Sequence, residues 1–331
     1  MSPEAASHPL EVSGVVELAL VERNGLIESR HVGAAVVVSA DGTVVRALGD
    51  VDALVYPRSS LKPFQAMAVL RSGARLDGAQ LVLASASHAG TPEHVRVVGE
   101  LLARAGLGED ALQCPLDWPL DPQSQAVART SGAPRRVTMN CSGKHASFLL
   151  ACVHNGWPIE NYLDPAHPLQ LLVRKTVEEF TGEPVGQVGV DGCGAPLFAV
   201  TLRGLATAVS RVAQGISVHG PDPDAARLTD AIVHNAWAID GPGRANTVVI
   251  EELGLLTKGG AEGVMVMAAP DGTAVALKIL DGTQRATTLV ALELLAQAGA
   301  VPRAEADRVA ALTTEKVLGK GVPVGAIRTV F

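Results

Sequence analysis

The chain has 331 residues, of which 47% are hydrophobic and 18% charged, and a formal charge of -7. This balance describes a folded, enzyme-sized protein and excludes a disordered chain. The acidic excess, the lack of a basic run and an aromatic content of 3% argue against a nucleic-acid partner, which needs phosphate-neutralising charge or stacking platforms.

The predicted elements begin as β. Residues 15–21 and 26–31 flank Asn24 and Gly25, and residues 34–39 and 43–48 flank Asp41 and Gly42. Both pairs are tight-turn signals, so an antiparallel meander of four strands is expected. A short apolar strand is expected at 81–83. Helix-like spacing of apolar positions follows at 61–71, 92–105, 142–153, 168–180, 198–212 and 225–238, separated by Pro/Gly-rich joints. Strand character returns at 263–267 and 273–280 around Asp271 and Gly272. Helices at 284–298 and 303–312 and a last strand at 323–331 complete the series.

Strands at both ends with helices between them predict an α+β fold. Residues 1–57 and 245–331 would build one antiparallel sheet flanked by helices. Residues 58–244 would form a mostly helical lobe, with the active site between the two. The stretch 1–10 carries Glu4 and no positively charged segment, so no secretory signal is expected. Apolar stretches such as 148–153 are too short to span a bilayer, and a cytoplasmic location is expected.

Three motifs carry serine and lysine. Ser59 and Lys62 form S-x-x-K within Arg58-Ser59-Ser60-Leu61-Lys62-Pro63. At a helix start they lie one turn apart on one face. A serine hydroxyl needs a base, and a lysine depressed by burial or by the neighbouring Arg58 can be one. A capped surface helix with a solvated lysine would give the same spacing. Ser87 and His88, in Ser85-Ala86-Ser87-His88-Ala89-Gly90, stand at a turn before a helix, where they could meet a ligand or where Ser87 or Thr91 could simply be the N-cap. Lys258, in Lys258-Gly259-Gly260-Ala261-Glu262-Gly263, resembles the K-T-G strand of S-x-x-K hydrolases, or marks an ordinary glycine-rich turn. Small residues there would let substrate approach the backbone.

The four cysteines, Cys114, Cys141, Cys152 and Cys193, form no CxxC pair and read as thiols or metal ligands before disulfides. Cys141 and Lys144 can face one way on a helix, and Cys193 lies in a glycine-flanked loop with Asp191. Two thiolates could hold zinc, with Lys144 an unusual third ligand because it must lose its proton. Two buried free thiols are the alternative, and a cysteine nucleophile served by His145 or His88 is a third.

Taken together, these segments resemble the Rhizobium etli type of L-asparaginase, the asparaginase II family. The resemblance rests on Tyr56-Pro57-Arg58-Ser59-Ser60-Leu61-Lys62-Pro63-Phe64-Gln65, Ser87-His88-Ala89-Gly90, Asn140-Cys141-Ser142-Gly143-Lys144-His145, Asp191-Gly192-Cys193-Gly194-Ala195-Pro196, Lys258-Gly259-Gly260-Ala261-Glu262-Gly263 and Asp281-Gly282-Thr283-Gln284-Arg285-Ala286, all in the family's order. It implies a fold related to serine β-lactamases and glutaminases, a homodimer, and hydrolysis of L-asparagine to L-aspartate and ammonia. It also implies two Ser–Lys tandems, Ser59 with Lys62 and Ser87 with Lys258, and zinc held by Cys141, Lys144 and Cys193, with Asp191 acting through water. Arg58, His88 and Asp191 are expected to contact substrate. Two departures stand out: Thr91 replaces a glutamate found in many relatives, and Lys278 rivals Lys258 as the second lysine. Two other readings remain at this point, a different S-x-x-K hydrolase acting on an ester or β-lactam, and a non-catalytic zinc- or amino-acid-binding protein.

Overall fold

The computed structural model describes residues 8–331, so the reading of residues 1–7, Glu4 included, lies outside it. Asn24 (φ 48°) and Gly25 (φ 83°) adopt the two positive φ values of a tight hairpin turn. They join β1 (Val16–Arg23) to β2 (Leu26–Val38). β2 runs on through Gly33, where a break was expected, so the four predicted strands are three, with β3 (Val44–Leu48) closing the second hairpin. Gly33 makes this continuity possible, because a Cβ there would fall 2.1 Å from the Lys278 carbonyl oxygen.

The C-terminal part adds β4 (Leu256–Gly260), β5 (Val264–Ala268), β6 (Ala274–Ile279), β7 (Val317–Gly319) and β8 (Val322–Thr329). Together with β1 to β3 they form one antiparallel sheet ordered β4-β5-β6-β2-β1-β8-β7, with β3 also paired to β2. The sheet thus draws on both chain ends, as the α+β reading expects. β4 is an edge strand, and its Lys258 pairs opposite Val266.

Eleven α-helices occur among the described residues: α1 (Lys62–Arg71), α2 (Gly78–Ser85), α3 (Pro92–Arg104), α4 (Pro122–Ser131), α5 (Ser142–Asn155), α6 (Pro168–Thr181), α7 (Leu202–Gln214), α8 (Pro223–His234), α9 (Ala245–Leu253), α10 (Thr287–Gln297) and α11 (Arg303–Thr313). Residues 81–83, expected as a strand, belong to α2. A short apolar run fits a buried helix as well as a buried strand, and here Asp77 and Gly78 open a helix. Residues 198–201 are extended, and α7 starts only after Thr201, whose side chain accepts the Gly204 N–H.

Both sheet faces are covered, so its central strands are apolar throughout rather than alternating. Ala34, Val36 and Val38 with Val264 and Val266 join the core of helices α1–α3 and α5–α8. Ala35 and Val37 with Met265, Met267 and Leu277 pack on α10 and α11. α1 is buried from Lys62 to Leu70, which makes it a central helix enclosed on all sides. That is how the chain buries a lysine beside the sheet edge.

Candidate active site

The Ser59 turn is a short 3-10 segment, Arg58–Leu61, leading directly into α1. Pro63 occupies the first turn of α1, where its missing N–H costs no intrahelical bond. Arg58 holds φ +52°, a conformation unfavourable for a side chain with a Cβ. It is held there by an ion pair from its Nε to Asp191 Oδ1 at 2.7 Å, with Glu262 3.7 Å from Nη1. The turn lies against the edge strand: a Cβ on Gly260 would stand 2.4 Å from the Pro57 carbonyl oxygen. The glycine of K-x-G is therefore needed for the approach of the Ser59 turn, where the sequence suggested the approach of substrate.

Ser87 follows α2, and its backbone N–H donates to the Ile239 carbonyl at 2.9 Å. Two buried lysines converge on its side chain. Lys62 Nζ donates to Ser87 Oγ at 3.0 Å and to the Ala86 carbonyl at 2.5 Å. Lys258 Nζ donates to the same Oγ at 2.9 Å and to the Gly259 carbonyl at 2.7 Å. Ser59 Oγ makes no hydrogen bond among the described residues, so Ser87 is the serine shared by both amines. Ser59 and Ser87 line one cavity of about 580 Å³, together with Asn140, Asp240, Arg244 and Gly260. Burial, reinforced by the charge of Lys62, pushes the Lys258 amine down to about 7 against the opposing pull of Asp240. Lys278 lies elsewhere, its Nζ donating to the carbonyls of Glu262 and Ile279.

His88 is fully buried. Its Nδ1 accepts the Gly90 N–H and its Nε2 bonds Ser142 Oγ, fastening the Ser87 loop to the start of α5. Thr91 caps α3 in a reciprocal pair with His94. Arg58 and Asp191 pair with each other as above and do not line the cavity.

A second cluster lies behind this one. Lys144, on α5, is buried and donates from Nζ to Cys193 Sγ at 3.0 Å. Cys141 Sγ donates to Asn140 Oδ1 at 3.1 Å; the approach of Cys141 holds the Cys193 thiol far below its ordinary range, and the Cys141 thiol is raised by the same contact. The thiolate in turn keeps Lys144 charged despite its burial. Asp191 Oδ2 is 3.9 Å from Cys193 Sγ. All four cysteines are free and buried. Among the described residues no group of three or more His, Cys, Asp and Glu side chains is arranged around a metal position, so a metal here would need Lys144 as a donor. The donor set, two cysteine sulfurs and the Lys144 nitrogen beside buried His145, fits a soft cation once Lys144 has lost its proton.

Three residues here were not singled out from the sequence. Asp240, Arg244 and Asn246 form a network from Arg244 Nε to Asp240 Oδ1 (2.6 Å), from Asn246 Nδ2 to Asp240 Oδ2 (2.9 Å), and from Gly259 N to Asn246 Oδ1 (3.0 Å). The turn Asp240-Gly241-Pro242-Gly243-Arg244 was the available signal, since it is punctuated by two glycines and a proline.

No curated protein matches the chain. Among solved structures, the native form of Mglu shares 14% identity, covering 81% of this chain and 65% of that one, with a TM-score of 0.42. A Bacillus glutaminase shares 11%, covering 81% and 91%, at 0.40. A β-lactamase from Mycobacterium bovis shares 17%, covering 84% and 94%, at 0.40. This chain thus spans less than two thirds of the length of Mglu. These likenesses are distant, and it is the sequence that carries the assignment: the family model described as L-asparaginase II matches residues 19–329, a span that takes in every serine, lysine and cysteine of the two clusters. The chain belongs to the L-asparaginase II family.

Proposed function

We propose that the protein hydrolyses the side-chain amide of L-asparagine to L-aspartate and ammonia, with Ser59 as nucleophile. The observation that supports this most is the convergence of Lys62 and Lys258 on Ser87 Oγ, in a cavity that Ser59 also lines. A nucleophile must be free to bond carbon, and Ser59 Oγ is unengaged. Ser87 Oγ bridges two amines and suits a proton relay.

With Lys258 neutral, the ammonium of Lys62 passes a proton to Ser87 while Ser87 passes its own to Lys258. Lys62, one turn along from Ser59, is then an amine that takes the Ser59 proton as Oγ attacks the amide carbon. Backbone N–H groups of the Ser59 turn stabilise the oxyanion. The relay returns a proton to the amide nitrogen, the C–N bond breaks, and ammonia leaves an aspartyl ester on Ser59. Water gives up a proton to the same network as it attacks the ester, the bond to Ser59 Oγ breaks, the network returns a proton to that oxygen, and aspartate leaves.

Cys141, Lys144 and Cys193 are the residues that would hold a zinc ion, with Asp191 reaching it through water. Bound there, zinc would supply a fixed positive charge that positions neighbouring groups. Arg58 and Asp191 steady the Ser59 turn and His88 steadies the Ser87 loop, and the acting form is a cytoplasmic homodimer.

The test is an ammonia-release assay with L-asparagine and L-glutamine, beside nitrocefin and a simple ester, with and without added zinc. Turnover of asparagine is expected. Turnover of the ester or nitrocefin without asparagine would overturn the reading, as would calorimetric binding of asparagine with no ammonia released.

A further inference from the structure

The cavity wall formed by the start of α9 carries a charge pair with unused donors. The Asp240 side chain is 8% exposed and that of Arg244 is 42% exposed, so the carboxylate is buried while the guanidinium remains open. Arg244 lends only its Nε to Asp240. Neither Nη1 nor Nη2 makes a hydrogen bond among the described residues, although Arg244 lines the cavity together with Ser59 and Ser87. The outer edge of a guanidinium so held presents two parallel N–H donors, the geometry that a carboxylate accepts in bidentate fashion.

The pair is also fixed relative to the reacting groups on two sides. Ile239, the residue before Asp240, accepts the backbone N–H of Ser87. Asn246 joins Asp240 to the backbone N–H of Gly259, next to Lys258. The turn between Asp240 and Arg244 packs against the Ser87 loop so closely that a Cβ on Gly241 would stand 2.9 Å from that of Ala89.

We propose that Arg244, oriented by Asp240, binds the α-carboxylate of an amino-acid substrate, making it a specificity-determining residue; this rests on the asparaginase reading for the choice of substrate. The reaction centre by itself would accept any small primary amide, and Arg244 would restrict it to amides that carry an α-carboxylate.

The experiment compares L-asparagine with 3-aminopropanamide, which is asparagine without its α-carboxylate, using wild type, Arg244→Gln and Arg244→Lys. Thermal melting confirms that each variant is folded. Arg244→Gln is expected to raise KM for asparagine about 10- to 100-fold, the loss of charge-assisted hydrogen bonds. The preference for asparagine over 3-aminopropanamide should shrink by a similar factor, and Arg244→Lys should restore part of it. A preference unchanged within about twofold would overturn the proposal. Wild type that releases no ammonia from asparagine would overturn the asparaginase reading instead. The subsite is then read by calorimetry with L-aspartate: binding weakened tenfold or more in Arg244→Gln supports it, and equal affinity or no binding to either protein overturns it.

Discussion

Lys258 and Lys144 are equally deep, each 1% exposed, yet their surroundings drive them in opposite directions. Lys258 faces a second lysine across a neutral serine, and its amine titrates near 7. Lys144 faces a thiolate and stays charged. Burial alone penalises the charge on both. The sign of the nearest charge decides which becomes a base at neutral pH and which becomes a counter-ion. One fold thus places a proton-transfer centre and a thiolate–ammonium centre side by side, and each can be perturbed separately.

The largest effect is expected from removing the base. Lys258→Met should lower kcat/KM for asparagine by about 10²- to 10⁴-fold. In wild type the rate should fall as pH drops below about 7, because the neutral amine is the active form. The same depressed pKa has a consequence for stability. Between about 7 and the ordinary lysine value near 10.4 the unfolded chain binds the extra proton, so wild type should gain stability relative to Lys258→Met as pH rises through that window. Melting curves of both proteins across it check the sign, and a parallel pH response would break the comparison.

Next in size is the thiolate centre. Cys193→Ser strands the Lys144 charge in a dry site and should cost about 3–5 kcal/mol by denaturant unfolding of the metal-free protein. The double variant Cys193→Ala with Lys144→Met removes both charges and should cost less than that single change. A larger loss in the double variant would show that Lys144 is not held by the thiolate. Gly260→Ala should follow at about 1–3 kcal/mol, with reduced turnover, because its Cβ would press on the Pro57 carbonyl. The smallest effect is expected from Lys278→Met. Its ammonium contacts carbonyls away from Ser87, so turnover within about threefold of wild type is expected, while a loss as large as that of Lys258→Met would reassign the second lysine.

The sequence carried the hairpins and the long helices well, because Asn24–Gly25 and the apolar periodicities of α3 and α6 are local signals. It misled at residues 81–83 because a short apolar run looks the same in a buried strand and a buried helix. It split β2 because nothing local shows that Gly33 lies against the Lys278 backbone. The motif residues were legible as chemical types, and the resemblance paired Ser87 with Lys258, a contact across 171 positions. Spacing linked Lys62 to Ser59 but could not show that Lys62 also reaches Ser87 Oγ. Asp240 and Arg244 escaped because their meaning comes from which cavity they border.

The most direct measurement is peptide mapping by mass spectrometry of the protein acid-quenched during turnover of L-asparagine. The account predicts an aspartyl ester on the peptide containing Ser59, absent in Ser59→Ala. An ester on Ser87, a thioester on Cys141 or Cys193, or continued turnover by Ser59→Ala would contradict it.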